Sequence, residues 1–351
     1  MKLSILFSTT LCLSLCLSAV SCGAPAADEG PKVTKEFVYV DADFPSCHAS
    51  TIVEYPEGHL TVAFFGGQHE RANDVCIWLS RKAMSDTVWS PLENVAGDSQ
   101  TPCWNPVLYA CDDGRMLLFY KFGNSVPEWK GHVKTSYDGG YTWGDEYVLP
   151  DGMVGAVKNK PVRLPSGRVI SPSSIEIELP EGVSGSEGFT HFEISDDDGK
   201  TWRKVGPVAA NDSVGVIQPT IILHKDGAIE ALMRSANCKI ASTISRDNGE
   251  TWSEVELTDF PNNNSGIDAV TLPDGRFAMI CNPVGVDWGV RYPLVIYVSE
   301  DARHWEELVT LETEPCDAGY CYPSMIVGSD GALHVVYTWD RRRIRYARIE
   351  L

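Results

Sequence analysis

Short apolar runs separated by Gly-containing turns dominate the chain from residue 36 to its end. The recurring arrangement is an apolar run, an acidic-Gly or Ser-Gly turn and a second apolar run, which reads as a β-hairpin. The turn glycines are Gly58, Gly114, Gly167, Gly227, Gly275 and Gly331, spaced 56, 53, 60, 48 and 56 residues apart. Turns at so steady a period mean repeated copies of one supersecondary unit, each with about four short strands. Radial repetition of such sheets predicts an all-β, six-bladed β-propeller over residues 36–351. Phe37–Val40 and Ile344–Ile349 are the expected pair that closes the ring.

A second repeat interleaves with the first. Ser-x-Asp-x-Gly-x-Thr-Trp stands intact at Ser136–Trp143, Ser195–Trp202 and Ser245–Trp252, worn at Ser299–Trp305 and more worn at Ser80–Trp89. Its Trp residues, at 89, 143, 202, 252 and 305, are 54, 59, 50 and 53 residues apart. These motifs resemble the Asp boxes of the sialidase superfamily, and the likeness covers roughly residues 36–351. The resemblance implies that each box is a structural hairpin on the rim, its Asp capping backbone amides and its Trp packing between blades. Asp196-Asp197-Asp198-Gly199 lacks the Glu at the twelfth position of a calcium loop, so no metal is expected there.

Composition narrows the partners. Asp plus Glu number 48 against 29 Lys plus Arg, a net charge of −19, which disfavours nucleic acid and anionic lipid. Residues 1–21 read as a lipoprotein signal: Lys2, an apolar run from Leu3 to Val20, then Ala19-Val20-Ser21-Cys22, with Cys22 as the lipidated first residue. An ordinary secretory signal cut nearby is the alternative. Residues 22–35 form a small, polar tether. The expectation is an exported bacterial lipoprotein in the periplasm, outer membrane or cell surface, touching membrane only through its lipid. Of the 11 cysteines, those at 47 and beyond belong to the mature body; Cys316 and Cys321 are the closest pair for a disulfide, and apolar surroundings favour buried thiols for most.

The first strand of a propeller blade lines the central axis, so residues nine or ten before each turn glycine converge on one mouth. They are His48, Asn105, Lys158, Gln218, Gly266 and Tyr322. Polar groups at positions that should be apolar suit a sugar pocket, although a plug of structural hydrogen bonds is the competing reading. Pro106, Pro219 and Pro323 follow three of them, as at the first residue of a strand.

The resemblance to sialidases assigns roles at matching positions. That family holds a substrate carboxylate with three arginines, attacks with a Tyr helped by a Glu, and uses an Asp as acid/base. Tyr322 matches the nucleophile, Arg234 the second arginine, Arg291 the third and Asp74 the acid/base; Pro261–Ser265 resembles the family's Asn-rich stretch. Two positions depart: His48 stands for the first arginine and Gln218 for the Glu. A tyrosine with a pKa near 10 needs a neighbouring base, and Gln can orient a phenol without taking its proton. Glu176 and Glu178, on one face of a strand, are candidates for the missing carboxylate or else exposed edge charges. Lys158 and Lys160 place cations at the mouth for an anionic substrate, or form a solvated loop; Asp268, Glu70 and Arg71 lie near it. Arg341, Arg342, Arg343 and Arg345 read as a charged edge on the closing strand. His132, His224 and His304 carry no partner pattern.

Three functions follow. The first is an exo-acting glycoside hydrolase of sialidase type that releases a terminal acidic sugar from a glycan, with no cofactor. The second is a polysaccharide lyase acting on a uronic acid, and the third a non-catalytic glycan-binding propeller. Nothing in the chain specifies an oligomer.

Overall fold

In the computed structural model, residues 30–178, 186–209 and 215–351 are described; the signal segment and Cys22 lie outside them. Six four-stranded antiparallel sheets follow one another along the chain. Blade 1 runs from Ser46 to Ala96, blade 2 from Cys103 to Val148, blade 3 from Val162 to Val205, blade 4 from Val216 to Pro261 and blade 5 from Asp268 to Glu312. Blade 6 takes three strands from Tyr320–Glu350 and its outermost from Lys32–Phe37. Inner strands of neighbouring blades pack side by side around the axis, and that of blade 6 returns against that of blade 1.

Each interface between neighbouring blades is an apolar cluster, because alternate residues of the strands face either neighbour. Met325, Leu333 and Val335 of blade 6 meet Ile280 and Ile296 of blade 5, for example, all of them buried. The closing strand differs from expectation. Lys32–Phe37 pairs with Arg345–Glu350, from Lys32 against Glu350 to Phe37 against Arg345, so pairing starts upstream of Phe37–Val40. The propeller therefore begins at Lys32 and takes in residues assigned to the tether. Val38 still donates its N–H to Ile344 O at 2.9 Å, and the side chains of Val38 and Tyr39 are buried with Phe44 and Phe64 in the cluster joining blades 6 and 1.

The Asp boxes sit at the end of the ring where the turn glycines lie, between third and fourth strands. In blade 3, Asp197 accepts Thr201 N at 2.8 Å, Thr201 Oγ1 at 2.7 Å and Ser195 Oγ at 2.8 Å, while Ser195 Oγ accepts Gly199 N at 2.7 Å. Asp138 and Asp247 repeat the pattern, and in the worn copy His304 takes the place of Thr, its Nδ1 2.7 Å from Asp301 Oδ2. Trp202 then packs edge-on to Phe119 of blade 2 and Trp252 stacks on Phe192 of blade 3, so each box pins its blade to the one before it. All the described cysteines are free, which corrects the Cys316–Cys321 pairing; most of them are buried in the apolar interfaces.

Slight burial opposes ionisation of Asp197, but hydrogen bonds from Thr201 and Ser195 outweigh it and hold the carboxyl at about 2. Its stabilisation is therefore complete above the unfolded pKa, near 3.9, and is lost as pH falls toward 2. Asp197→Ala should lower stability by about 1 kcal/mol at neutral pH, the usual loss for a capping carboxylate. Thermal melts of both proteins should converge as pH falls from about 4 to about 2; a constant gap would refute the assignment.

Candidate active site

The mouth opposite the Asp boxes is built on a repeated irregularity of the inner strands. The ladders of blades 1, 2, 4 and 6 each skip two residues, between His48 and Thr51, Trp104 and Val107, Ile217 and Thr220, and Cys321 and Ser324. At the apex of each bulge a non-glycine residue is left-handed: Ala49 at φ 57°, Asn105 at 31°, Gln218 at 56° and Tyr322 at 49°. Bulges re-aim side chains, here toward the axis. Pro106, Pro219 and Pro323 are inside their strands, not first in them, because the bulge has already removed the ladder bond a proline cannot make.

Tyr322 is the centre of the constellation. Its hydroxyl accepts Gln218 Nε2 at 2.9 Å and Arg234 Nη1 at 3.3 Å, and Arg234 Nη1 is also 3.3 Å from Gln218 Oε1. Arg234 is buried at the top of blade 4, where Asn264 takes its Nε at 3.0 Å on Oδ1 and its Nη2 on the backbone carbonyl. Asn264 Nδ2 donates to Asp287 at 3.0 Å and Asn263 Nδ2 to Val290 O at 2.6 Å, so the Asn-rich stretch ties Arg234 to the loop bearing Arg291. Trp288 stands on that loop, 68% exposed, with the guanidinium carbons of Arg234 and Arg291 5.7 and 6.0 Å from its ring centroid. Glu176, on the second strand of blade 3, acts on Arg234 electrostatically. Glu178 ends the same strand, and its side chain lies outside the described residues.

His48 is one residue short of its bulge apex. Its ring lies 4.2 Å from that of Tyr322 between centroids, and Nδ1 is 3.1 Å from Thr338 Oγ1. Burial, then the fields of Arg341, Arg291, Arg234 and Lys158, push its pKa well below the ordinary value, so the ring is neutral where the resemblance places an arginine. Among the cations that act on His48 is Arg341. Expected on the edge of the closing strand, it occupies the loop before that strand, where its carbonyl accepts Cys47 N at 2.9 Å and its Nη1 meets Glu70 at 2.6 Å. Left-handed Asp340 and Arg341 make that loop. Asp74 lies in the same blade 1 loop as Glu70 and accepts Gln68 N on both oxygens, at 3.2 and 3.1 Å.

The remaining expected residues are braces beneath the mouth. Lys158 Nζ donates to Asn159 Oδ1 at 2.7 Å, Ile267 O at 2.8 Å and Pro323 O at 2.6 Å, across blades 3, 5 and 6. A Cβ on Gly266 would lie 2.7 Å from Lys158 Cε, so glycine there makes room for the lysine. Asp268 is fully buried; it pairs with Lys160 at 2.9 Å and accepts Thr220 Oγ1 at 2.7 Å and Met325 N at 2.8 Å. Asn105 is buried and its carbonyl accepts Lys121 Nζ at 3.2 Å. Lys158, Lys160, Asp268 and Asn105 thus hold the inner strands in place, and no solvated loop forms at Lys158–Pro161. Arg71 is exposed; Arg343 and Arg345, expected on an edge, lie instead on the third strand of blade 6, which Lys32–Phe37 covers, with their guanidinium groups over the Phe37 ring. His224 and His304 meet Glu230 and Asp301 away from the mouth.

The BNR repeat-like domain model matches residues 58–335. The chain belongs to that family. No curated protein matches this BNR-repeat chain. Among solved structures it is similar to a protein of unknown function from Dyadobacter fermentans, with a TM-score of 0.77 and 17% identity over 92% of this chain and 100% of that one. The Hadza microbial sialidase Hz136 superposes with a TM-score of 0.74 at 14% identity, over 90% of this chain and 68% of that one. The Trypanosoma rangeli sialidase in complex with sialic acid gives 0.68 at 14%, over 92% and 59%. These likenesses establish the sialidase-like propeller fold.

Sequence reasoning missed Arg341 and Trp288 in this BNR-repeat protein. Periodicity marks inner strands, whereas both residues sit on loops; a signal for Trp288 lay in its distance of three residues from Arg291.

Lys158 loses more by desolvation than Asp268 returns, and its pKa falls to about 7. The unfolded chain, with lysine near 10.4, then binds more protons between about pH 7 and 10, so this group's contribution to stability rises with pH there. Chemical denaturation should show wild type gaining stability relative to Lys158→Met as pH rises through that window. A flat difference would show that Lys158 titrates normally.

Proposed function

We propose that this protein is an exo-acting glycoside hydrolase of sialidase type, releasing a terminal acidic sugar from glycans. The observation that carries the reading is the Tyr322 hydroxyl held between Gln218 at 2.9 Å and Arg234 at 3.3 Å at the axial mouth. Arg234 and Arg291 hold the substrate carboxylate, and Arg341 supplies the third cation from blade 6 in place of the residue at 48. A carboxylate reaching this group displaces Glu70 from Arg341, a modest exchange because both ends of that pair are partly solvated.

Tyr322 attacks the anomeric carbon. Asp74 protonates the leaving oxygen and later activates water on the same face. Gln218 fixes the phenol's orientation, and Glu176, close enough to act on Arg234, is the carboxylate that takes the phenolic proton. Glu178 remains the alternative base. Trp288 offers an exposed ring beside the arginines for the apolar face of the sugar. The chemistry requires no cofactor.

A second reading, β-elimination on a uronic acid, draws on the His48 and Tyr322 rings, 4.2 Å apart between centroids, as acid and base beside a carboxylate clamp. Incubation with sialylated glycans and, separately, with uronate polysaccharides distinguishes the two. Released saturated acidic sugar, abolished in Tyr322→Phe and reduced about 10²–10⁴-fold in Asp74→Asn, supports hydrolysis. Arg341→Ala should raise KM on the order of 10-fold, the loss of one hydrogen bond to a charge. Absorbance from an unsaturated uronate would overturn the hydrolase in favour of the lyase, and binding without turnover would leave a glycan-binding propeller.

The export signal supports anchoring of the mature protein through a lipid on Cys22, in the periplasm or at the outer membrane or cell surface of a bacterium. Cys22→Ser should move the protein from the membrane fraction to the soluble fraction. Unchanged fractionation would refute the lipid anchor.

A further inference from the structure

A wide cleft lies at the opposite end of the ring from the mouth, between blades 1 and 2, with a volume of about 660 Å³. Its walls are the Tyr55–His59 turn, the end of the third strand of blade 1 with the loop that follows, and the Asp box of blade 2. The intact boxes allow a comparison within the chain. The residues after the box Ser and before the box Thr are exposed in all three. They are Asp196 and Lys200 in blade 3, Arg246 and Glu250 in blade 4, but Tyr137 and Tyr141 in blade 2.

Neither tyrosine ring serves the box: its side-chain hydrogen bonds join Ser136, Asp138 and Thr142, and Tyr141 adds only its backbone N–H to Asp138. Tyr137 is 77% exposed and Tyr141 61% exposed, and both line the cleft. The Arg81 guanidinium lies 4.6 Å from the Tyr141 centroid and also bonds Gly140 O, which fixes this ring in place. Two exposed aromatic rings at the wall of a cleft, one of them held by Arg81, stand where the other boxes keep charges and are surfaces for a ligand with apolar faces.

The polar lining selects among such ligands. Both long cations are already neutralised, Arg81 by Glu93 at 2.9 Å and Lys82 by Glu36. The exposed carboxylate of Asp86 also lines the cleft, as does Asp138, whose oxygens are engaged in the box. This balance repels an acidic ligand, in contrast to the mouth, and suits a molecule that donates hydroxyls to carboxylate oxygens while laying C–H faces on the rings. We propose that the cleft between blades 1 and 2 is a second glycan site, which binds a stretch of neutral oligosaccharide. It faces away from the mouth, so one glycan strand can be held here while another terminus enters the ring, raising the local concentration of substrate. The proposal does not depend on the reaction at the mouth.

The test is calorimetric titration of the mature protein with N-acetyllactosamine oligomers, using sialyllactose as the acidic comparator. The variant is Tyr137→Arg with Tyr141→Glu, which installs the residues that blade 4 carries at the same positions and so keeps a sequence the fold accepts. Affinity for the neutral oligomers should fall at least about tenfold, while Tyr322→Phe binds them like wild type; Asp86→Asn should weaken them independently. The proposal is overturned if wild type binds no neutral oligomer, if the double variant binds equally well, or if binding tracks Tyr322 and therefore belongs to the mouth. Self-association of wild type that the double variant loses would also overturn it, by making a second copy of the chain the occupant.

Discussion

Pairing of Lys32–Phe37 with Arg345–Glu350 joins the two ends of the propeller, and the constellation around Tyr322 depends on that closure. Tyr322 comes from blade 6, Gln218 and Arg234 from blade 4, Arg291 from blade 5, Glu176 from blade 3 and His48 from blade 1. No two neighbours in sequence make the site; it exists because the blades are wedged round one axis by the apolar clusters between them. The buried braces complete this arrangement. Lys158 bridges carbonyls of blades 5 and 6, and Asp268 joins Lys160 of blade 3, Thr220 of blade 4 and Met325 of blade 6. Burying such charges is tolerable only because each is filled with partners.

On this frame the bulges place the chemistry. A regular inner strand would alternate its side chains between the two neighbouring blades; the left-handed residue at each apex sends one toward the axis instead. A non-glycine residue in that conformation costs on the order of 1–3 kcal/mol, which the closed ring and its hydrogen bonds offset. The same device appears with Ala49, where the side chain is too small to do chemistry, and with Tyr322, where it presents a phenol. One backbone feature therefore serves both structure and function, and the side chain at the apex decides which.

Charge separates the two ends of the molecule. Arginines 234, 291 and 341 all act on His48 at the mouth of a chain whose net charge is −19. Burial, helped by the fields of these arginines and of Lys158, keeps His48 neutral, an effect of its surroundings that is invisible in the residue itself. In the cleft at the other end, Arg81 and Lys82 are paired with Glu93 and Glu36, and exposed Tyr137 and Tyr141 are the available surface.

The sequence by itself determined the number of blades, the strand pattern, the Asp-box turns and the convergence of His48, Gln218 and Tyr322, because these follow from a local period that repeats along the chain. A nine-residue spacing to the turn glycine is enough to find the bulge apex in blades 1, 2, 4 and 6, and it shows why Ala49 rather than His48 holds that place in blade 1. Only the tertiary structure decided what those residues do. Lys158, Lys160 and Asp268 looked like ligands because they are polar near the axis, yet their partners lie on other blades, up to 165 residues away, and consume their hydrogen-bonding capacity. Arg341 looked like an edge charge and pairs with Glu70, 271 residues distant, because ring closure folds blade 6 against blade 1. Periodicity reports what each strand repeats; the groups that face one another across an axis are set by the closure of the whole ring.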